Sequence, residues 1–484
     1  MKYFPSIGIE CHVQLKTVTK LFDGVGNDAR TAAPNTLAGP LSFGLPGTLP
    51  VLNQAAVEMA GRMAYALNTK PQKLSIFERK HYFYPDLPKG YQITQLSQPI
   101  IKGGYVEIGV DRQVKKIRLN RVQIEEDAGK NTHPAGKDYT LVDLNRAGTP
   151  LLEIVSEPDI SSAEEAKAYA RELYLLVKYS GVGDADLYHG NMRFDVNVSL
   201  SKDSKLGTRT ETKNLNSFKC VHGAVEYEIK RQIELLEKGQ NIIQETRGWD
   251  EAKQKTISQR GKEESHDYRY MPEPDIPPIE LDDNFMDKIE ASMPVLPNEW
   301  RQRLKSLGLD KSLIETLLEA EVEHEDITYL MFVEEILENK VSAIQLVNWM
   351  VNIEIPLTRE LGKTLVPQSD KWALVYEPIM NLVDDDKLSS TSAKSLIKQV
   401  LTQGKAPENM EKYADEQGYI QNSSEKEIEK IVAEVIKENP KAAEDVRKGQ
   451  DKATGFLVGQ VMKKSLGKAN PELAQRIIKK SLGV

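Results

Sequence analysis

The apolar pattern of the chain changes near residues 293–297, and this change restricts the possible folds more than any other feature of the sequence. Before it, short alternating apolar runs are interspersed with longer helical patterns. After it, apolar residues recur at spacings of three and four, which is the period of an amphipathic helix. The sequence therefore predicts an α+β fold, in which a mixed α/β domain is followed by all-α domains.

Two breaks set the predicted domain boundaries. Prolines end the first domain, which we assign to residues 1–293. A Gly/Pro-containing break at 403–409 separates a helical domain, 294–408, from a helical tail domain, 409–484. The helices predicted after the first boundary cover residues 299–307, 311–323, 327–338 and 342–352.

Capping residues predict where several helices begin. Asn53, Ser162 and Ser217 each stand directly before a helical pattern, and Asn470 precedes a proline at the first helical position. The proline-rich segment 271–278 cannot be helical and should be extended.

Composition excludes several classes of protein. The only cysteines, Cys11 and Cys220, cannot form a disulfide framework or an all-cysteine zinc site. The N-terminus lacks a signal-peptide pattern, and no apolar run approaches the ~20 residues that span a bilayer. We expect a soluble, cytoplasmic protein with no membrane partner.

Charge is distributed unevenly along the chain. Residues 441–484 contain ten Lys/Arg and four Asp/Glu, a net charge of +6, so the remaining residues carry −14 of the total of −8. A basic end on an acidic body indicates a polyanionic partner. The alternative is a solvated helical surface, and composition alone favours that alternative.

Familiar phosphate-binding and hydrolytic motifs are absent from the sequence. It contains no G-x-x-x-x-G-K-[ST] loop, no G-x-S-x-G elbow and no H-E-x-x-H helix. If the protein uses ATP, it must hold the phosphates without a Walker-type loop.

A strand predicted over residues 7–15 would place Glu10 and His12 on one face, because side chains alternate with period two. Glu125 and Glu126 lie in another alternating stretch, so only one of them can share that face.

A third carboxylate, Glu153, interrupts an apolar run and is costly to bury unless it is paired or binds a metal. One imidazole with two or three carboxylates would suit magnesium. The alternative is a set of surface-strand charges with one structural salt bridge, and spacing leaves both interpretations open.

Lys80, Tyr82 and Tyr84 also alternate, and one strand face would present a cation and two phenols. These side chains could line a pocket for a nucleotide or for the 3′ end of a tRNA, because aromatic faces stack on bases. An aromatic strand packed in the core is an equally good interpretation. A second polar strand alternates Arg193, Asp195 and Asn197.

Together these segments resemble one family, the B subunits of the glutamyl/aspartyl-tRNA amidotransferase GatCAB. The match runs in order along the whole chain. Its segments are 7–15 (IGIECHVQL), 44–53 (GLPGTLPVLN), 82–92 (YFYPDLPKGYQ), 125–130 (EEDAGK), 143–146 (DLNR), 153–159 (EIVSEPD), 213–218 (KNLNSF), 244–247 (QETR), 267–275 (DYRYMPEPD) and 455–462 (GFLVGQVM).

The resemblance implies a cradle-shaped first domain with an ATP and magnesium site, a helical domain, and a tail that interacts with tRNA. The family works as a heterotrimer with an amidase A subunit and a small C subunit. Ammonia released from glutamine reaches the B subunit, where ATP phosphorylates the side-chain carboxylate of Glu-tRNA(Gln) or Asp-tRNA(Asn). Ammonia then displaces phosphate. The resemblance thus makes the chain part of an amido-ligase.

The resemblance also implies roles for individual residues. Magnesium ligands are implied at His12, Glu126 and Glu153, so that Glu125 points away. We assign catalytic roles to Glu10, Lys80 and Glu126, and ATP contacts to Lys80, Tyr82, Arg146, Arg193 and Lys213.

Two departures from the family pattern affect these expectations. Residues 21–43 contain no cysteine, whereas many members form a zinc knuckle there, so we expect no zinc and a loop held by packing alone. Residues 189–192 (HGNM) replace an acidic run before Arg193, which leaves the charge on that side of the site open. Two other functions remain: a non-catalytic tRNA-binding scaffold, and an amide ligase for a small molecule, which the basic tail argues against.

Overall fold

The computed structural model describes residues 3–111, 113–203, 205–261, 268–323, 328–338, 340–362, 371–421, 425–465 and 469–484. These residues form two units, Met1–Pro297 and Asn298–Val484. The first is mixed α/β and the second is helical, which confirms the predicted α+β class. The division of the second unit at residue 408 stays a prediction.

The strands of the first unit are β1 (Phe4–Gln14), β2 (Leu74–Ser75), β3 (Glu78–His81), β4 (Tyr91–Thr94), β5 (Ile101–Lys102), β6 (Tyr105–Val110), β7 (Gln113–Glu126), β8 (Lys130–Thr132), β9 (Leu141–Asp143), β10 (Pro150–Ser156), β11 (Met192–Ser201), β12 (Thr210–Leu215), β13 (Glu245–Asp250), β14 (Lys255–Gly261), β15 (Met271–Pro272) and β16 (Ile279–Glu280). Its helices are α1 (Gln54–Ala66), α2 (Ala163–Tyr179), α3 (Phe218–Glu237) and α4 (Asp283–Ala291).

Nine of the described strands form one sheet, in the order β14-β13-β12-β11-β1-β10-β7-β5, with β6 paired to β7. Strand β1 lies in its middle and is antiparallel to both neighbours, β10 and β11. Its odd-numbered residues from Ile7 to Val13 are fully buried in the apolar core, whereas the even-numbered ones are only partly buried. This alternation gives the sheet one apolar and one polar face.

Predicted caps define three helices of this unit. The side chain of Asn53 accepts a hydrogen bond from Ala55 N at the start of α1. Ser162 and Ser217 cap α2 and α3 in the same way. All three helix starts are therefore confirmed, and each satisfies a backbone N–H that the helix itself leaves without a partner.

Smaller sheets bring distant segments beside the large one. Strands β15, β3 and β4 pair in that order, β16 pairs with β2, and β8 pairs with β9. Prolines keep residues 271–278 out of any helix, as predicted, and β15 occupies the start of this segment.

The loop over residues 21–43 is not held by packing alone, so that expectation is wrong. The side chain of Asn145 donates to Ala33 O (2.7 Å) and accepts from Leu37 N (2.8 Å). The buried ammonium of Lys20, at the foot of the loop, donates to Ala147 O (2.5 Å). Hydrogen bonds to the segment before β10 therefore fix the loop.

The second unit contains α5 (Pro297–Ser306), α6 (Lys311–Glu321), α7 (Leu330–Glu335), α8 (Lys340–Trp349), α9 (Ile355–Leu361), α10 (Glu377–Asp384), α11 (Ser390–Gln403), α12 (Met410–Glu416), α13 (Glu425–Glu438), α14 (Pro440–Arg447), α15 (Asp451–Lys464) and α16 (Pro471–Leu482). Its predicted helices are present, but residue 327 lies outside the described residues and α7 is shorter than predicted. Asn470 caps α16, as predicted.

Two π-helices, Met350–Glu354 and Trp372–Tyr376, were not predicted. A proline follows each of them, at Pro356 and Pro378. Proline has no N–H to donate to the carbonyl four residues earlier. The helical hydrogen bonds at these points therefore span five residues instead of four. For example, Ile355 N donates to Met350 O.

Helices α13 to α16 share an apolar core of their own. Its buried members are Ile428, Val432, Val435, Ala443, Val446, Leu457, Val461, Ala469, Ala474, Ile477, Ile478 and Leu482. None of the helices in the described part of the chain is long and apolar enough to cross a bilayer.

Candidate active site

The polar face of the large sheet carries several of the predicted site residues. Along β1 and β11, Glu10 lies opposite Asp195 and His12 lies opposite Arg193. On the other side of β1, His12 lies opposite Glu153 of β10. Directly opposed residues in a sheet share a face, so the predicted alternation of these strands is confirmed.

Three side chains on this face converge closely enough to hold one ion. Ligand atoms of His12, Glu125 and Glu153 all lie within 4.8 Å of one another. His12 Nε2 is 3.8 Å from Glu125 Oε1 and 3.8 Å from Glu153 Oε2. Thr94 Oγ1 donates to Glu125 Oε2 (3.0 Å) and Gln123 Nε2 donates to Glu153 Oε2 (3.0 Å), which fixes both carboxylates.

The sequence predicted that Glu126 belongs to this cluster and that Glu125 points away. This prediction is wrong, because Glu125 is the residue whose side chain points toward His12 and Glu153. Glu126 is directed to the other side of β7, where its carboxylate pairs with Lys89 and accepts a hydrogen bond from Ile93 N (2.9 Å). Gln123, which lies opposite Glu153, shares its face with Glu125, the residue two positions further along.

The cluster brings two buried carboxylates close together. Burial and the neighbouring charge of Glu125 raise the pKa of Glu153. The guanidinium of Arg121 opposes part of this charge, with Nη2 4.0 Å from Glu153 Oε1. Two buried carboxylates and an imidazole therefore fit a hard divalent cation such as magnesium, which takes oxygen ligands and retains several waters.

Lys80 approaches the cluster from β3. Burial alone would lower the pKa of Lys80, but Glu125, Tyr270, Glu153 and Tyr268 together raise it above its ordinary value. The Lys80 ammonium is 4.9 Å from the centre of the Tyr268 ring and 6.0 Å from that of Tyr82. The structure thus brings Lys80 and Tyr82 together, as their alternation predicts.

The other predicted cations lie on or beside the same face. Arg193 Nη2 and Arg146 Nε are both 3.3 Å from Asp127 Oδ2. Lys213 Nζ is 3.5 Å from Asp195 Oδ2 and 3.2 Å from Glu211 Oε1.

The guanidinium of Arg146 is already used in contacts within the protein. Its guanidinium also donates to Ala128 O (3.0 Å) and Gly129 O (2.7 Å), so it stabilises this turn. Its assignment to ATP stays a prediction.

The segment that departs from the family pattern extends the polar face. Asn191 Nδ2 donates to Gln14 Oε1 (2.8 Å) at the end of β1. His189 Nδ1 lies 2.6 Å from Asp186 Oδ2. The amides of Asn191 and Gln14 therefore contribute no charge at this end of β1.

Several site residues were not found by the sequence reasoning. Gln123 and Thr94 orient the carboxylates, and Asp127 joins two arginines. Tyr268 and Tyr270 come from a remote segment. Gln123 and Asp127 had a local signal, since each stands two positions from Glu125 in the sequence.

Comparison with known proteins agrees with the resemblance seen in the sequence. A family model described as the GatB/GatE catalytic domain matches residues 5–287, and a second, described as the GatB domain, matches residues 331–482. A protein of Carboxydothermus hydrogenoformans, named as the B subunit of an aspartyl/glutamyl-tRNA(Asn/Gln) amidotransferase, is 42% identical over 99% of both chains.

Proteins with the same name show similar identities. That of Thermotoga maritima is 41% identical over 100% of this chain and 99% of its own length. That of Persephonella marina is 43% identical over the full length of both chains. The chain therefore belongs to the GatB family, the B subunits of tRNA-dependent amidotransferases.

Proposed function

We propose that this chain activates the side-chain carboxylate of Glu-tRNA(Gln), Asp-tRNA(Asn) or both with ATP, and then amidates it. The cluster of His12, Glu125 and Glu153 beside Lys80 is the observation that carries this proposal. A carboxylate is a poor electrophile, whereas an acyl phosphate has a good leaving group. Forming the acyl phosphate requires ATP, so the polar face must neutralise the negative charge of the phosphates.

We assign a different role in this reaction to each group of residues at the site. His12, Glu125 and Glu153 would hold magnesium, which when bound neutralises charge on the phosphates. Lys80 adds a fixed positive charge beside them. Glu10 accepts one hydrogen bond from Asn197 (3.1 Å), and we assign its remaining acceptor capacity to the proton that leaves the incoming ammonia.

Arg193 and Lys213 supply further positive charge on the same face. The centre of the Tyr82 ring is 6.0 Å from the Lys80 ammonium. We assign this ring to the binding of ATP, as predicted from the sequence.

Partners follow from the subunit role. We propose that a partner amidase A subunit supplies ammonia from glutamine, that a small C subunit completes a heterotrimer, and that the reaction takes place in the cytoplasm. Residues 1–293 would carry the chemistry, with residues 294–408 as a helical domain and 409–484 as a tRNA-binding tail.

The test is a reconstituted reaction. The chain would be co-expressed with its A and C subunits and supplied with ATP, magnesium, glutamine and tRNA carrying labelled glutamate or aspartate. Labelled glutamine or asparagine released after deacylation, only when ATP is present, supports the proposal. Bound but unreacted tRNA would instead support a non-catalytic scaffold.

Part of the tail's positive charge is neutralised within the tail. Lys464 Nζ lies 2.8 Å from Glu434 and 2.6 Å from Glu438. Among the described tail residues, Lys463 forms no ion pair and is exposed. The net charge of +6 counted from the sequence therefore overstates the charge available to tRNA.

Replacing Lys463 with Ala is expected to weaken tRNA binding and to reduce the slope of log K against log salt by about one, because one phosphate contact would be lost. Filter binding at several salt concentrations measures both quantities. The matched control is the charge-neutral double variant Lys464→Ala/Glu438→Ala, which should keep the parent slope. Equal slopes for all three proteins would mean that this helix face does not contact tRNA.

A further inference from the structure

The ammonium of Lys80 is held in an unusual way. Among the described residues, no carboxylate lies within ion-pair distance of it, although Glu125 and Glu153 act on it electrostatically. Its near neighbours are aromatic rings, with the Tyr268 centroid at 4.9 Å and the Tyr82 centroid at 6.0 Å. These distances are those of cation–π contacts.

Tyr268 belongs to residues 268–275, which we call the strap. The strap runs along β3, far from it in sequence. His81 N donates to Tyr268 O (2.9 Å), and the β15 residues Met271 and Pro272 pair with β3. The position of the Tyr268 ring relative to Lys80 is thus set by backbone pairing.

An ion pair fastens the far end of the strap. Arg79, next to Lys80, donates through two nitrogens to Glu273, at 2.7 and 2.8 Å, and its guanidinium is 3.3 Å from Asp275. The Glu273 carboxylate is buried, so this two-bond pair is geometrically specific. Two neighbouring β3 residues therefore contact the strap in different ways. Arg79 forms an ion pair with Glu273, and the Lys80 ammonium lies over the Tyr268 ring.

An aromatic face attracts a cation without offering it an acceptor atom. A carboxylate in the same place would occupy the N–H donors of Lys80 and cancel its charge. The rings leave those donors for an anionic ligand, and they restrict where the ammonium can be. This arrangement suits a lysine that must contact a phosphoryl oxygen beside the carboxylate cluster.

We infer that Tyr268 is a positioning residue that holds Lys80 toward the phosphoryl group transferred at the cluster, and that the strap exists to place its ring. The inference rests on the proposed function for the identity of that group. The position of Lys80 itself can be tested without it.

The experiment compares Tyr268→Leu, which removes the ring, with Tyr268→Phe, which keeps it. In the heterotrimer, Tyr268→Leu should lower kcat about tenfold with the KM for tRNA within about twofold, and Tyr268→Phe should stay within about twofold of the parent in both. The control is Tyr105→Leu, because Lys116 lies 4.0 Å from the Tyr105 ring in the β6–β7 hairpin, outside the site.

A second readout needs no activity. An amine-acylating reagent is applied to the substrate-free proteins, and modification of Lys80 is followed by peptide mass spectrometry. Lys80 should be acylated several-fold faster in Tyr268→Leu, and at the parent rate in Tyr268→Phe and Tyr105→Leu.

Parent-like kcat and parent-like Lys80 acylation in Tyr268→Leu would overturn the inference. An equal loss in Tyr268→Phe would also overturn it, since the hydroxyl would then matter rather than the ring. If the parent heterotrimer forms no amidated tRNA, the proposed function fails, and the acylation rates still decide whether Tyr268 holds Lys80.

Discussion

Glu125→Gln is expected to lower ATP-dependent amidation by about a thousandfold, because a bound divalent cation contributes several kcal/mol of charge stabilisation in the transition state. Glu125 Oε1 is 3.8 Å from His12 Nε2, and the amide would remove one of two anionic ligands. The affinity for a divalent cation, measured with Mn²⁺ as a spectroscopic probe, should fall in parallel. Glu153→Gln should have the same effect on both quantities.

The neighbouring residue provides a matched control for the cation affinity. Glu126 is as deeply buried as Glu125, and each is 3% exposed. Glu126→Gln should keep the affinity for Mn²⁺, because its carboxylate faces Lys89 and Ile93 N rather than His12. If Glu126→Gln loses the cation and Glu125→Gln keeps it, Glu126 is the ligand, as assigned from the sequence, and the cation does not bind at the cluster of His12, Glu125 and Glu153.

The exchange of these two glutamates has a physical cause that periodicity does not reveal. Ile117 and Leu119 of β7 are buried, and strict alternation from them would put Glu125 on the apolar face and Glu126 on the polar one. In the structure, Val155 of β10 lies opposite Arg121, whereas the next residue lies opposite Leu119. This bulge inserts one residue and reverses the alternation beyond it.

Features that depend on only a few neighbouring residues were predicted correctly from the sequence. The caps at Asn53, Ser162 and Ser217, and the shared face of Glu10 and His12, depend on side-chain chemistry and period two. Both can be seen in a single segment.

Features that depend on distant pairing could not be read in this way. Tyr268 reaches Lys80 only because β15 pairs with β3, and nothing near Lys80 in the sequence indicates that pairing. Likewise, Pro356 and Pro378 are visible in the sequence, but the neighbouring helices decide whether a proline ends a helix or widens it into a π-helix.

The two π-helices of the second unit hold a buried charge network. Lys371, immediately before one of them, donates to the carboxylate of Glu354 at the end of the other, and the Tyr376 hydroxyl donates to the same carboxylate. All three side chains are almost fully buried: Lys371 is 1% exposed, Glu354 is 2% and Tyr376 is 0%. Removing one member of such a pair leaves an uncompensated charge out of water.

Lys371→Met is therefore expected to lower the free energy of unfolding of this unit by about 3–5 kcal/mol. Urea unfolding followed by tryptophan fluorescence is suitable, because Trp349 stacks on the Tyr376 ring beside the network. The exposed pair of Lys387 with Glu411 is the control, and Lys387→Met should change the same free energy by about 1 kcal/mol or less.

A double variant separates the value of the pair from the cost of breaking it. Glu354→Leu with Lys371→Met leaves no buried charge, so it should be clearly more stable than Lys371→Met alone. If the double variant is as unstable as the single one, the loss arises from packing and not from an unpaired Glu354. If Lys371→Met unfolds like the parent, water reaches Glu354, and the network is not desolvated as its burial indicates.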